Sequence, residues 1–556
     1  MRTPFQTLQR RHNLMRASTA TLWLFVMATF ASGALRATDW STLFTAQDVH
    51  DYLATPEGRV RALNFCRRMG LSKVYVETFR DGYQADAETL CTARDYFRQA
   101  GLQVSGCVTT TQLGKPSTGW NIVACYTHRA NQERLAGVFA YAAGFFDEIM
   151  IDDFFFTDCE CSECAAARGA MGWREYRKKL MLDMSRENVL GAAQRVNPNV
   201  KVILKFPQWY DTFQERGYVV DKESALYDRV WVGTELRDPA SDRWGHKQQY
   251  EGFFIFRWIS DIAKEKTAGG WFDPYGTNPT YYLDQAYVTV LAGAREGLLF
   301  HYGALESPEY DAQARAFAAR RSELEALSKL VGDWRGIPAY KPASSDPGKE
   351  AYLFDQIGML GIPLLPTARF PQEARVALFT AHALEDVAFV SELVQFLSKG
   401  GTAFLSEELA HRLNGDPRLD AVGPVELAKG EYFRKAVMGG GTVVVFSDAL
   451  PRLTFVDAQN RLAQVTPELG DALGQLRQEA SNFAVTLSDA SPRVAAFPMG
   501  GHVAVMNFTE LPVSCRLQGL GGNATRRRQV FRTNGAVLAS DGATLRLPPH
   551  ALLVVK

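Results

Sequence analysis

At 556 residues the chain exceeds what one hydrophobic core organises, so several domains are expected. Apolar residues make up 46% and charged residues 22%, a composition that excludes a disordered chain or a polytopic membrane protein. Lys plus Arg and Asp plus Glu both total 61, so there is no basic surplus to displace phosphate counterions, and nucleic acid is excluded as an expected partner.

In chain order, residues 1–37 read as a targeting segment. Arg2, Arg10, Arg11 and Arg16 precede an apolar run over 20–31, and Ser32, Gly33 and Ala34 follow it. A signal peptide cleaved near Ala34 or Ala37 is expected, and with it a periplasmic or secreted protein. The run is short for a bilayer span, and no later stretch is long enough, so no membrane span is expected after cleavage. Arg10-Arg11-His12-Asn13-Leu14 fits a twin-arginine signal as well as a general secretory one, and both routes stay open.

From 38 to 332, short apolar runs alternate with amphipathic stretches. Strands are predicted over 43–49, 73–79, 103–109, 148–154, 201–206, 229–235, 270–275 and 297–302. Helices are predicted over 57–69, 87–100, 131–144, 173–195, 250–266 and 281–294, while 207–228 shows no clear period. This alternation predicts a (β/α)8 TIM barrel. A helical stretch over 307–331 leaves the barrel, and the polar segment 342–349 reads as a linker. Over 345–465 a second α/β pattern predicts a doubly wound, flavodoxin-like or amidotransferase-like sheet. Residues 480–556 read as strands of a small β-sandwich.

Cys159, Cys161 and Cys164 follow the fourth barrel strand in a C-x-C-x-x-C turn that lets three thiolates converge on one tetrahedral ion. Cys125, in the neighbouring loop of a barrel, supplies the fourth ligand. With all four positions filled by thiolates none is left for water, so a structural Zn2+ is expected. The competing reading is disulfide bonding, which an exported chain permits, although three cysteines this close leave one without a local partner.

The run Ala124-Cys125-Tyr126-Thr127-His128-Arg129, then Ile149-Met150-Ile151-Asp152-Asp153, then Cys159-Glu160-Cys161-Ser162-Glu163-Cys164 resembles the zinc-loop region of glycoside hydrolase family 42 β-galactosidases. Gly361-Ile362-Pro363 and the stretch 376–405, with Gly400-Gly401, look like that family's amidotransferase-like trimerisation domain. The resemblance implies a carbohydrate substrate, a structural zinc and a homotrimer. Ala381-His382-Ala383 carries no cysteine where an amidotransferase nucleophile would stand, so that activity is not expected. One departure matters. Where the family has Asn then its acid/base Glu, this chain has an aspartate then Phe154, so β-galactosidase activity does not carry over. The chain is closer to uncharacterised families of barrel glycosidases sharing the zinc loop and the trimerisation-like domain.

Glycoside hydrolysis needs two carboxyls at the barrel mouth. Four strand ends carry them: Glu77, Asp152 with Asp153, Glu235, and Asp273. Asp153 is expected as nucleophile or base and Glu235 as general acid, an arrangement similar to the α-galactosidase clan. Asp273 is the rival partner, since its strand matches where family 42 keeps its nucleophile. Asp152 and Asp153 should point to opposite faces unless the strand has ended. Glu77, Lys205, Trp209, Arg237, Trp271, Tyr275 and His301 are expected to bind substrate, and Trp231 and Tyr302 are further aromatic candidates at strand ends. The alternative is a catalytically inactive carbohydrate-binding or assembly protein on the same scaffold. Each acid could instead cap a helix or bind loop amides.

Overall fold

The computed structural model describes residues 37–419, 426–519 and 527–556; the arginines and apolar run of the predicted signal peptide lie outside them. Eight parallel strands close into a barrel: β1 Asp39–Phe44, β2 Lys73–Arg80, β3 Gln103–Val108, β4 Glu148–Ile151, β5 Lys201–Phe206, β6 Arg229–Gly233, β7 Thr267–Phe272 and β8 Glu296–Leu299. Closure comes from β1 pairing with both β2 and β8. Each strand sends a side chain inward, among them Leu43, Tyr75, Cys107, Met150, Ile203, Trp231, Trp271 and Leu298, so the interior is a packed core and not a pore. Gly269 makes room for one of them: a Cβ there would meet the Trp231 ring at 2.6 Å.

Strand interiors follow the sequence reading, and β5 spans the predicted residues, but several other strand ends depart from it. The first strand stops at Phe44, not at 49, because Thr45 and Asp48 form a reciprocal capping box that starts a helical turn. Strands β4 and β6 stop at Ile151 and Gly233, before the carboxylates, and β8 stops at Leu299, with Tyr302–Leu305 helical. The long helix predicted over 173–195 is Trp173–Met184, a π turn Ser185–Leu190 and Gly191–Val196. The unassigned region 207–228 holds the short helices Phe213–Arg216 and Val220–Leu226.

The second sheet has six strands: β9 Ile337–Tyr340, β10 Leu364–Thr367, β11 Val376–Phe379, β12 Thr402–Ser406, β13 Phe433–Met438 and β14 Gly441–Phe446. Their order is β10-β9-β11-β12-β14-β13, parallel except for the β13–β14 hairpin, which is a flavodoxin-like arrangement. The strand β9 precedes the segment predicted as a linker. That segment is packed, not free: Ser345 is 1% exposed and its Oγ lies 2.8 Å from His382 Nδ1. Lys341, Ser345 and His382 sit where β9 and β11 end, at the point where strand order reverses. The carboxylate of Asp211, from the barrel, enters this crevice. Its Oδ1 is 3.0 Å from His382 Nε2 and 3.6 Å from Lys341 Nζ, and its Oδ2 accepts from the Tyr352 amide at 2.6 Å.

Two four-stranded antiparallel sheets complete the fold: β15 Thr486–Ser488, β18 Val513–Gln518, β20 Val537–Leu538 and β21 Thr544–Leu547 in one, and β16 Val494–Met499, β17 His502–Asn507, β19 Gln529–Arg532 and β22 Leu552–Val555 in the other. Barrel helix Tyr250–Ala263 packs against both later modules. Phe254 stacks on Phe354 at 4.7 Å and Tyr250 on Phe497 at 5.5 Å, and one continuous apolar core runs through all three modules.

Candidate active site

A cavity of about 700 Å³ opens at the C-terminal ends of the barrel strands. Its polar floor is built around Lys205, the penultimate residue of β5, which is 1% exposed. The ammonium is 2.8 Å from Asp153 Oδ2, 2.8 Å from Glu235 Oε1 and 3.4 Å from Asp152 Oδ1, and it lies 4.1 Å from the centre of the Trp271 ring. A buried cation must be matched by negative charge, and this cluster of carboxyls supplies it. Both carboxylate oxygens at 2.8 Å share one nitrogen, so they are at most twice that distance apart.

Because β4 ends at Ile151, both aspartates after it reach the cavity. Asp152 is the fixed anion of the two. It accepts from Arg80 Nη2 at 2.8 Å, from Thr109 Oγ1 at 3.1 Å and from the Asp153 amide at 2.8 Å. Burial works against its charge, but Lys205 and Arg80 outweigh burial and hold its pKa down at about 2. Asp153 goes the other way. Burial, with the like charges of Asp152 and Glu235 beside it, raises it to about 8 even though Lys205 pulls it down. Burial also raises Asp273 to about 6, against the pull of Arg237.

Asp273 and Arg237 face each other as a fork, with Nη1 2.8 Å from Oδ1 and Nη2 donating to Oδ2 at 2.9 Å. Both line the cavity with Trp209, Trp271, Tyr275 and His301. Tyr275 and His301 belong to a chain of contacts: Tyr275 Oη is 3.1 Å from His301 Nε2, and His301 Nδ1 is 2.7 Å from Asp48 Oδ2.

Glu77 does not belong among the substrate-binding groups. It is 0% exposed, and its oxygens accept from the Ala46 amide at 2.9 Å, Thr109 Oγ1 at 2.5 Å and Arg80 Nε at 2.8 Å. The strand continues to Arg80, so Glu77 lies below the rim rather than at it. Trp231 is likewise inside the barrel core, against Tyr75 at 5.7 Å, and Tyr302 packs on Phe44 at 4.7 Å. Sequence reading missed Asp48, Arg80, Trp120, Gln208, Arg243 and Trp244, all of which line the cavity. Two signals were present: the Thr45–Asp48 capping box, and a basic residue one position beyond the predicted end of β2.

The four cysteines converge beside this cavity without lining it. Their sulfurs all lie within 4.8 Å of one another, with Cys125–Cys161, Cys125–Cys164 and Cys161–Cys164 at 3.7, 3.6 and 3.7 Å. A disulfide needs ~2.05 Å, whereas thiolates ~2.3 Å from a tetrahedral ion stand ~3.8 Å apart. The spacing therefore suits a metal ion, and all eight cysteines are free thiols.

A family model described as "Probable glycosyl hydrolase, catalytic domain" matches residues 28–331. An uncharacterized protein of Saccharolobus solfataricus is 25% identical over 399 residues, 64% of each chain, so this chain spans less than two thirds of that curated relative. Among solved structures, a β-galactosidase from Bacillus circulans sp. alkalophilus has a TM-score of 0.62 at 10% identity, over 94% of this chain and 99% of its own. The α-L-fucosidase isoenzyme 2 from Paenibacillus thiaminolyticus has 0.61 at 10%, over 93% and 99%. A GH42 β-galactosidase has 0.60 at 11%, over 94% and 98%. At these identities the likeness is one of fold, and it extends well beyond the barrel.

Proposed function

Since the chain belongs to the family of probable glycosyl hydrolase catalytic domains, we propose that it hydrolyses an O-glycosidic bond in an oligo- or polysaccharide with Asp153 and Glu235 as the working pair. The observation that carries this is the shared contact with Lys205, which brings carboxylates from two strands together at the floor of an open cavity.

The electrostatics favour Asp153 as the acid, reversing the roles expected from sequence. It holds a proton near neutral pH and gives it to the leaving oxygen. Lys205 then stabilises the carboxylate that remains. Glu235 attacks the anomeric carbon as the bond to the leaving oxygen breaks. In the second half, Asp153 takes a proton from water, whose oxygen displaces Glu235 and frees the enzyme. Separation within twice 2.8 Å matches the ~5–5.5 Å of retaining enzymes and not the ~6.5–9.5 Å of inverting ones. The Arg237–Asp273 fork and Tyr275 present donors and acceptors to sugar hydroxyls.

The test is a panel of aryl glycosides and glycans. Asp153→Asn and Glu235→Gln should each keep the fold and lose about 10²–10⁴-fold in kcat. Wild-type turnover in both variants would overturn the pair. Loss in Asp273→Asn alone would transfer the nucleophile role to Asp273.

Structural zinc at Cys125, Cys159, Cys161 and Cys164, export, and a homotrimer belong to the same proposal. They are supported by the sulfur spacing, the composition of residues 1–37, and the resemblance of the second sheet to a trimerisation domain. Metal analysis, the N-terminus of the mature protein and sedimentation test each in turn.

A further inference from the structure

The rim of the cavity carries an aromatic group that the carboxylate chemistry leaves unused. Trp120 lines the cavity and is 42% exposed. Its ring lies 5.5 Å from Phe154 and 6.0 Å from Phe156, and Phe156 lies 5.2 Å from Trp209, another cavity residue. Phe154 directly follows Asp153 and lines the same cavity.

The loop that carries Trp120 is closed on itself by the Pro116–Ala124 bridge and by the amides of Ser117 and Val123, which donate to Val123 O at 2.8 Å and to Trp120 O at 3.1 Å. The cysteine segment grips this loop from its other side. Asp158, next to Cys159, accepts from Ser117 Oγ at 2.5 Å and from the Trp120 amide at 3.1 and 3.0 Å through its two oxygens. The Glu160 amide donates to Thr118 Oγ1 at 2.8 Å, and that hydroxyl lies 3.8 Å from Cys159 Sγ. Gly119 permits this approach, since a Cβ there would meet Asp158 Cγ at 2.4 Å. Cys125 closes the same loop, its amide donating to Lys115 O at 3.0 Å. One ligand is thus on the Trp120 loop and three are on the segment that grips it, and an ion bound by all four stitches the two together.

The geometry points to Trp120 as a stacking platform for an outer sugar unit of the glycan, held in place by the metal at the four cysteines. The apolar C–H face of a sugar ring covers the exposed indole while its hydroxyls stay in water. The choice of a sugar as ligand rests on the proposed activity; the positioning by metal does not.

Two arms test it on the full chain. In the first, the emission of Trp120 is isolated as the difference between wild type and Trp120→Phe, which leaves every cysteine in place. This difference should change when a chelator removes zinc and return when zinc is restored. An unchanged difference spectrum overturns the positioning. In the second, oligosaccharides from disaccharide to hexasaccharide are bound in an Asp153→Asn background, so that turnover does not consume them. Adding Trp120→Ala should weaken binding of the longer ones about tenfold. Equal binding with and without Trp120 overturns the platform. Trp120-dependent binding by a protein that hydrolyses nothing would sink the proposed activity and leave the platform standing.

Discussion

Lys205 is the residue whose loss reaches furthest. Replacing it by Met removes the ammonium shared by Asp152, Asp153 and Glu235; Asp152 keeps its ion pair with Arg80, while the buried carboxyls of Asp153 and Glu235 lose theirs. The expected cost is about 3–5 kcal/mol of stability, read by denaturant unfolding, together with loss of turnover. On the proposed mechanism, Asp153 sets the alkaline side of the pH dependence. A general acid must hold its proton, and this one does so below about 8. The alkaline limb of the kcat/KM profile is therefore expected to fall as pH rises through that value. A profile that stays level well above it would count against Asp153 as the acid. Proton NMR of the first-formed sugar should show retained anomeric configuration, and inversion would favour a wider pair that includes Asp273.

The cysteine turn is the element with its own energetic signature. One tightly held metal per chain is expected, and its removal should lower Tm, read by metal analysis and thermal unfolding. Cys161→Ser should weaken retention of the metal while Cys66→Ser, far from the cluster, should not. How far sequence reached is clearest at this scale. Strands β2 and β5 were legible because each holds a short unbroken apolar run, Val74-Tyr75-Val76 and Val202-Ile203-Leu204, between polar ends. The end of β1 was not, since the polar residues that close a strand also open the next turn, as Thr45 and Asp48 do. The strand-end acids were legible because a barrel delivers them to one face. That Asp153 and Glu235 share one ammonium was not, because it depends on side chains 30 and 52 residues from Lys205 meeting in space. Glu77 misled for a related reason: its strand runs three residues further, and burial there is decided by Arg80 on that strand and by Ala46 and Thr109, just beyond β1 and β3.

For the molecule as a whole, the three modules share apolar surface through helix Tyr250–Ala263. A chain ending at residue 332 would uncover Tyr250, Phe254 and Trp258, whose indole also donates to Lys341 O at 2.9 Å. Such a truncation should aggregate or fail to fold, and the intact chain should unfold in one calorimetric transition. A soluble, folded barrel fragment would show that the modules are separable.

The seating of Asp211 carries a last consequence. In open parallel sheets the gap where strand order turns around is the customary seat for nucleotides and similar anions. Here the polypeptide itself supplies the negative charge, from a different module, so a dissolved anion could reach that seat only by prising two bodies apart. That crevice thereby fastens the second sheet to the barrel.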